Sequence, residues 1–405
     1  MPTNERISDD TVRAVSDWLI AQTLQDGDTT TIVGGFCERL QEAGFALMRV
    51  AVSTRVLHPN YAAETVVWRR GAAAEHERHS FQAAGPGEAW RRSPFSRAVE
   101  TPEEPMRRNL TVEADLDFPI LGEIRAEGGT DYYCRVIGFR TFGDPDQGQG
   151  IVSSWVTDRD GGFTAGEIDA LERLLPRLAA AFKTTISHRI AREAMAVYLG
   201  KDAGMRVLSG QIHRGDATTI SAVLLYGDLR DFTALTDRLP REELVAMLDG
   251  YFDAVVEPIQ SNGGQVLKFM GDGLLATFSL SDRSRAETAA AAIDAVKSAL
   301  AGIADVNRPR LSSDQPVMEM DFVLHLGDVM YGNVGSRSRL DFTVIGPVVN
   351  EASRIEPLCE ELGTNVLISK KIFDCLGESS NHALAPLGEH RLRDVTGSRT
   401  LFTLP

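Results

Sequence analysis

Residues Asp9–Leu24 place Val12, Val15, Leu19 and Ile20 at helical spacing, and Thr31–Ala43 repeats the pattern with Val33, Phe36, Cys37 and Leu40, so two helices are expected to open the chain. From Ala46 to Thr157 the period shortens. The runs ALMRVAVS, ETVVWRR, DYYCRVIGFR and IVSSWVTD, separated by Gly, Pro and charged turns, predict strands and hence a small α+β domain. Thr164 and Glu167 form a capping box before an apolar stripe of Ile168, Leu171, Leu175, Leu178, Phe182, Ile186 and Ile190. This predicts one helix to about Leu199, kinked at Pro176. The stripe is expected to make a parallel two-helix contact between subunits; packing on its own domain is the alternative. Gly200–Ala217, rich in Gly, Asp and Arg, reads as an irregular connector.

From Ser221 onward strands and helices alternate. The pattern predicts strand Ala222–Tyr226, helix Arg241–Gln260, hairpin Gln265–Phe278, helix Arg285–Ile303, strand Glu319–His325 and helix Val349–Leu362. A sheet covered by helices, an α+β fold, follows. A length of 405 residues suits more than one core. The expected division is a small sensory-type domain over 1–160, a long helix and linker over 161–217, and a second domain over 218–405.

Composition narrows the function classes. Asp and Glu number 57 against 42 Lys and Arg, and no basic stripe with interleaved aromatics occurs, so nucleic acid is not an expected partner. No run approaches the roughly 18–20 apolar residues of a membrane span. The start, MPTNERISDD, lacks a basic region followed by an apolar one, and a cytoplasmic location is expected. The four cysteines, Cys37, Cys134, Cys359 and Cys375, have no CxxC spacing and read as buried thiols. His58, in LHPNY, reads as a turn residue rather than a ligand.

Two segments set a carboxylate just after an apolar run: AVLLYGDLRDF with Asp228, and QVLKFMGDGLLATF with Asp272 between glycines. Gly271-Asp272-Gly273 between two strand-like runs predicts a tight hairpin turn at the rim of a sheet, with Asp228 on a paired strand. Two converging carboxylates repel unless cations lie between them, and hard oxygen donors suit Mg²⁺ or Mn²⁺, so the pair predicts a two-metal site. Leu229-Arg230-Asp231-Phe232-Thr233 leads straight into a helix, whose first amides, Phe232 and Thr233, are candidates for a triphosphate cradle. In TVIGPVVNEASR, Asn350 and Arg354 stand four apart and share a helix face.

In their order and spacing, GDLRDFTAL, LKFMGDGLLATF, VLHLGDVMYGNVGS and FTVIGPVVNEASRIE resemble the class III adenylate and guanylate cyclases over Ser221–Pro405. The resemblance implies a ferredoxin-like catalytic domain and a homodimer with its sites at the subunit interface. It implies two metal ions per site on Asp228 and Asp272. Asn350 and Arg354 would orient the ribose and stabilise the pentavalent α-phosphate, Lys268 would read the purine, and Arg393 would hold the terminal phosphates. Lys268 donates a hydrogen bond, which suits adenine N1, whereas guanine presents a donor there. ATP is the expected substrate, and 3′,5′-cyclic AMP and pyrophosphate the products. Thr343 stands where many adenylate cyclases have Asp, and resembles the subclass often associated with bicarbonate response. Asp231, where Gly is common, and Pro347, where a polar residue is common, are further departures.

The N-terminal segment is similar in outline to a GAF- or PAS-like sensory module, expected to receive a small-molecule or protein signal. Two other readings stand beside the adenylate cyclase: a guanylate cyclase, supported by Thr343, and a catalytically silent nucleotide- or ligand-binding signalling module.

Overall fold

A computed structural model describes residues 7–25, 27–56, 61–80, 87–139, 150–281, 283–376 and 382–405. His58 lies outside the described residues. The chain divides into two compact units, Met1–Ala194 and Met195–Pro405.

The N-terminal unit begins with α1 (Asp9–Thr23) and α2 (Thr29–Glu42), each started by a side-chain cap: Ser8 accepts from the Thr11 amide, and Asp28 from the Thr30 amide. They precede β1 (Leu47–Arg55), β2 (Tyr61–Arg69), β3 (Glu75–Ser80), α3 (Glu88–Arg91), α4 (Pro94–Glu100), β4 (Met106–Asn109), α5 (Pro119–Ala126), β5 (Asp131–Gly138), β6 (Gly150–Thr157) and α6 (Ala165–Leu199). The six strands form one antiparallel sheet in the order β3-β2-β1-β6-β5-β4. Side chains alternate across it. Val50, Val52, Tyr133 and Trp155 face α1, α2 and α6, while Tyr132, Cys134, Val152 and Val156 face α4 and α5.

One expectation fails in this unit, and strand β3 was not anticipated. The α6 stripe is not left free for a partner subunit: Leu171, Leu175, Leu178, Phe182 and Ile186 are buried against the unit's own sheet, with Ile168 and Ile190 packed at its edge. Strand β3, EHERHS, is exposed along its whole length at the sheet edge, so it lacks the apolar alternation that marks a strand. The Thr164–Glu167 capping box forms, and α6 continues through Pro176 as one helix of 35 residues.

The C-terminal unit, beyond the last turns of α6, contains α7 (Lys201–Leu208), β7 (Ala217–Leu229), α8 (Phe232–Thr236), α9 (Arg241–Ser261), β8 (Gln265–Met270), β9 (Gly273–Ser279), α10 (Arg285–Ser312), β10 (Met320–Gly335) and β11 (Leu340–Ile345). It ends with α11 (Pro347–Ile355), α12 (Leu358–Leu362), β12 (Val366–Ser369), α13 (Lys370–Leu376), β13 (Ala385–Arg391) and β14 (Ser398–Thr403). The sheet runs β13-β14-β12-β10-β7-β9-β8, with β11 paired to β10. Within it, β7 to β10 with α9 and α10 form the βαββαβ arrangement of a ferredoxin-like fold. One face, including Val223, Leu225, Leu274, Phe322 and Leu324, packs on α9 and α10. The other carries α7, α11 and α12.

The supposed connector therefore contains a helix, α7. Likewise, the helix expected over Val349–Leu362 is two helices, because Pro357 cannot continue the first. Strand β10 extends ten residues past His325 through Gly327, Gly332 and Gly335, which read as breakers in sequence.

Trp155 is fully buried, donates to Ser153 Oγ at 3.1 Å and meets Phe36 edge-on at 5.7 Å. Trp155→Ala should lower the stability of the N-terminal unit by about 3–5 kcal/mol in denaturant unfolding. A loss below about 1 kcal/mol would show that the ring is not the packing centre of that core.

Candidate active site

Asp228 lies one residue before the end of β7, opposite Asp321 of β10. The β8–β9 hairpin turns through Gly271-Asp272, with Met270 and Gly273 paired directly. Gly271 has φ 73°, the positive value that the first central residue of a type II′ turn requires. A Cβ at Gly273 would come within 2.4 Å of Asp228 Oδ1, so the absence of a side chain there is what lets the turn close on the Asp228 carboxylate. Sheet pairing and one glycine thus bring the two expected metal ligands to one rim.

The rim is more acidic than sequence reading anticipated. Burial pushes the Asp228 carboxyl up to about 6, and the neighbouring Asp272 and Asp321 add to the rise. Glu356, which follows α11 directly, is pushed up to about 7 by burial and by Asp228, Asp321 and Asp272, against the opposing pull of Arg230. Arg230 grips Asp321 with two bonds of 2.7 Å and donates to the Thr364 carbonyl at 2.6 Å. It therefore braces Asp321 without neutralising Asp228. Glu356 was missed in sequence, although it ends the FTVIGPVVNEASRIE segment.

Among the described residues, no group of three or more His, Cys, Asp and Glu side chains is arranged to hold a metal ion. A pair of carboxylates nevertheless fits Mg²⁺ or Mn²⁺, because such ions are held by one or two carboxylates and complete their shell with substrate phosphates and water.

Asn350 and Arg354 sit on α11, with Asn350 exposed and Arg354 half-buried. At about 100° per residue, the pair lies about 120–160° around the helix from Glu356, which faces the Asp228 rim. On α11 the Asn350/Arg354 row thus lies on a different flank from Glu356. Arg354 is instead paired with Asp394 at 3.3 Å, and Arg393 reaches the same Asp394 carboxylate at 3.6 Å. Asp394 therefore gathers two of the expected phosphate-binding cations.

Lys268, on β8, lies 3.4 Å from Asp341 of β11, two residues before Thr343 on the same strand face. The Thr343 hydroxyl is buried and finds no hydrogen-bond partner among the described residues. Phe232 and Thr233 open α8, and Asp231 precedes them at φ 56°. That left-handed backbone explains why glycine suits this position, and Asp is among the residues that tolerate it. No side chain caps α8, so its first amides carry no side-chain acceptor.

The span from Asp216 to Leu404 matches the family model of the adenylate and guanylate cyclase catalytic domain. Residues 216–404 are a cyclase catalytic domain. Adenylate cyclase 1 of Rhizobium meliloti is 32% identical over 185 residues, covering 44% of this chain and 27% of that protein. The adenylate cyclase of Anabaena cylindrica is 32% identical over 162 residues, covering 40% of this chain and 32% of that protein. This chain thus spans less than a third of either relative. The crystal structure of the adenylyl cyclase CyaB from P. aeruginosa aligns at 20% identity and a TM-score of 0.42, covering 47% of this chain and 95% of that one. The cyclase domain's rim is built from strand ends, and all nine residues expected at its site lie among the described residues. Among the described residues, no helix of either unit is long and apolar enough to cross a membrane.

Folded Asp228 and Glu356 keep protons at pH values where the unfolded chain has released them. The native state thus binds more protons between pH about 4 and about 7, and its stability falls as pH rises through that window. In chelator, the melting midpoint of the cyclase domain is expected to drop between pH 5 and pH 8, and Asp228→Asn to flatten that drop. An equal drop in the variant would place the source of the pH dependence elsewhere.

Proposed function

We propose that the domain converts ATP to 3′,5′-cyclic AMP and pyrophosphate. The observation that carries this reading is the Asp228–Asp272 pair, closed over Gly273 at the rim of the domain matched to the cyclase family. The two adenylate cyclases that match over this region support the choice of product.

Asp228 and Asp272 would hold Mg²⁺ or Mn²⁺, two ions per site. The chemistry supplied there is acidification of the ribose 3′-hydroxyl and neutralisation of phosphate charge. Arg354 would leave Asp394 for the α-phosphate and stabilise the charge that develops as the 3′-oxygen attacks and pyrophosphate leaves in line. Asn350 would orient the ribose. Arg393 and the Phe232 and Thr233 amides would take the terminal phosphates. Lys268 would donate to adenine N1, and the partnerless Thr343 hydroxyl would accept from the adenine amino group.

Because α11 turns Asn350 and Arg354 away from its own chain's carboxylates, we infer that a homodimer completes each site, one subunit supplying the metal ligands and the other the Asn/Arg pair. The N-terminal unit would serve as a GAF- or PAS-like sensor of a small-molecule or protein signal. Its six-stranded antiparallel sheet with helices on both faces supports that reading. The division into residues 1–160, 161–217 and 218–405, with α6 as the signalling helix, belongs to the same proposal.

A second reading, cyclic GMP from GTP, is favoured by Asp341. A carboxylate beside Lys268 is the acceptor that guanine N1–H and N2–H₂ require.

Purified full-length protein with Mg²⁺ or Mn²⁺ should release cyclic AMP from ATP in preference to cyclic GMP from GTP, and Asp272→Ala should abolish it. Mixed Asp228→Ala and Asn350→Ala chains, each inactive alone, should regain part of the activity in heterodimers. Cyclic GMP as the main product would select the second reading, and tight ATP binding without turnover would leave a silent binding module. Removing residues 1–194 should change the specific activity; an unchanged rate would refute regulation by the N-terminal unit.

A further inference from the structure

Helix α11 buries Val348, Ala352 and Ile355 against the sheet, a narrow stripe for a helix of nine residues. Contact is close: a Cβ at Gly327 of β10 would come within 2.4 Å of Val348 Cγ2. An apolar stripe of this kind fixes the helix's distance from the sheet better than its rotation, because packing contacts are not directional. The rotation matters here, since it aims Asn350 and Arg354.

A second set of contacts is directional. At about 100° per residue, Glu351 lies on the circumference of α11 between the apolar stripe and the Asn350/Arg354 row. Its carboxylate accepts two bonds from Arg399 of β14, Nε to Oε2 and Nη2 to Oε1, both 3.0 Å. A planar fork of this kind fixes both position and orientation of its partner. The third bond comes from His325 of β10, whose Nε2 lies 3.1 Å from Oε2.

His325 is 1% exposed. Burial lowers its pKa to about 4, so the ring is neutral at ordinary pH, while the Arg399 bonds hold the Glu351 carboxyl below its usual range. An ionised carboxylate can only accept, so the ring proton sits on Nε2. Nδ1 is then a bare acceptor, and it is buried with no hydrogen-bond partner among the described residues. The fold tolerates that unpaired nitrogen while keeping the Nε2–H bond to Glu351.

We propose that Glu351, held by Arg399 and His325, is the positioning residue that fixes the rotation of α11 and so presents Asn350 and Arg354 to the transferred phosphate. This rests on the cyclase reading of those two residues. Glu351 itself touches no reacting atom; it acts through the helix it anchors.

The test is steady-state turnover of metal–ATP by the full-length protein, combined with hydrogen exchange of the α11 amides without nucleotide. Glu351→Ala should lower kcat about 10- to 100-fold, the effect of misplacing reacting groups by about 1 Å, with KM changed less than about threefold. Glu351→Gln, which retains one acceptor oxygen for Arg399, should keep an intermediate kcat. Exchange over Val349–Ile355 should quicken in both variants, in the same order as the loss of kcat, while circular dichroism shows the fold retained. Unchanged kcat with a lowered melting point would overturn the proposal in favour of a purely structural role, and so would a rise in KM alone. If the wild-type chain turns over neither ATP nor GTP, the cyclase reading fails on that measurement. Exchange then decides the anchoring of α11 alone, and unchanged protection in Glu351→Ala would sink it.

Discussion

Carboxylates held close together at one end of the β7–β9 pair are the constraint on which the C-terminal unit depends. Bringing Asp228 beside Asp272, with Asp321 opposite and Glu356 nearby, costs free energy, because burial weakens solvation and each ionised neighbour opposes the next. The sheet supplies the opposing stabilisation. The β7–β10 ladder runs without interruption from Ala217/Gly332 to Leu229/Met320, and its apolar face is sealed by α9 and α10. Arg230 ties Asp321 to the Thr364 carbonyl, which keeps the rim from splaying open. On the proposed reading a cation would relieve this cost, and the same crowding that raises the Asp228 pKa would strengthen metal binding once the proton has left.

The strands and helices of the C-terminal core were legible in the sequence because they obey their own periodicities; the ferredoxin-like arrangement came from the resemblance to the cyclases. Val223 and Leu225 on β7, and the runs around Asp272, read as strands whatever surrounds them. What escaped reading did so for identifiable reasons. Strand β3 is exposed along its length and meets β2 through polar side chains, His76 on Glu64 and His79 on Thr65, so EHERHS carries no apolar alternation. The far half of β10 is punctuated by glycines that allow close approaches which only three dimensions reveal, such as that of Val348 to Gly327. The α6 stripe was read as a helix, but its partner could not be: the spacing that fits a second helix also fits the flat face of a sheet, and the sheet won.

The candidate site divides in the same way. Asp228, Asp272, Asn350 and Arg354 were expected through the four ordered segments that resemble the class III cyclases; turn chemistry and helix spacing alone placed them only as candidates. Glu356, Asp341 and Asp394 were not expected, because each matters through a neighbour distant in sequence: Asp228 for Glu356, Lys268 for Asp341 and Arg354 for Asp394. All three are acidic, and each faces a residue expected to meet nucleotide or metal. At Lys268 and Arg354 the partner carboxylates Asp341 and Asp394 are exposed, and exposed pairs of this kind contribute at most about 1 kcal/mol and can exchange partners readily.

That exchange bears on the choice of base. Lys268 and Asp341 are both accessible, with side chains 34% and 58% exposed, so the pair is loose enough for a purine edge to enter between them. An adenine would take the ammonium at N1 and leave the carboxylate to the Thr343 side of its amino group, whereas a guanine would turn its N1–H and N2–H₂ to the carboxylate and its O6 to the ammonium. Both arrangements satisfy the lysine. At Thr343 the hydroxyl can accept from the adenine amino group or donate to guanine O6, so either base can satisfy it. On the proposed reading, the choice between ATP and GTP would therefore rest on whether the purine edge engages Lys268 alone or Lys268 and Asp341 together, and selectivity rather than exclusivity is expected.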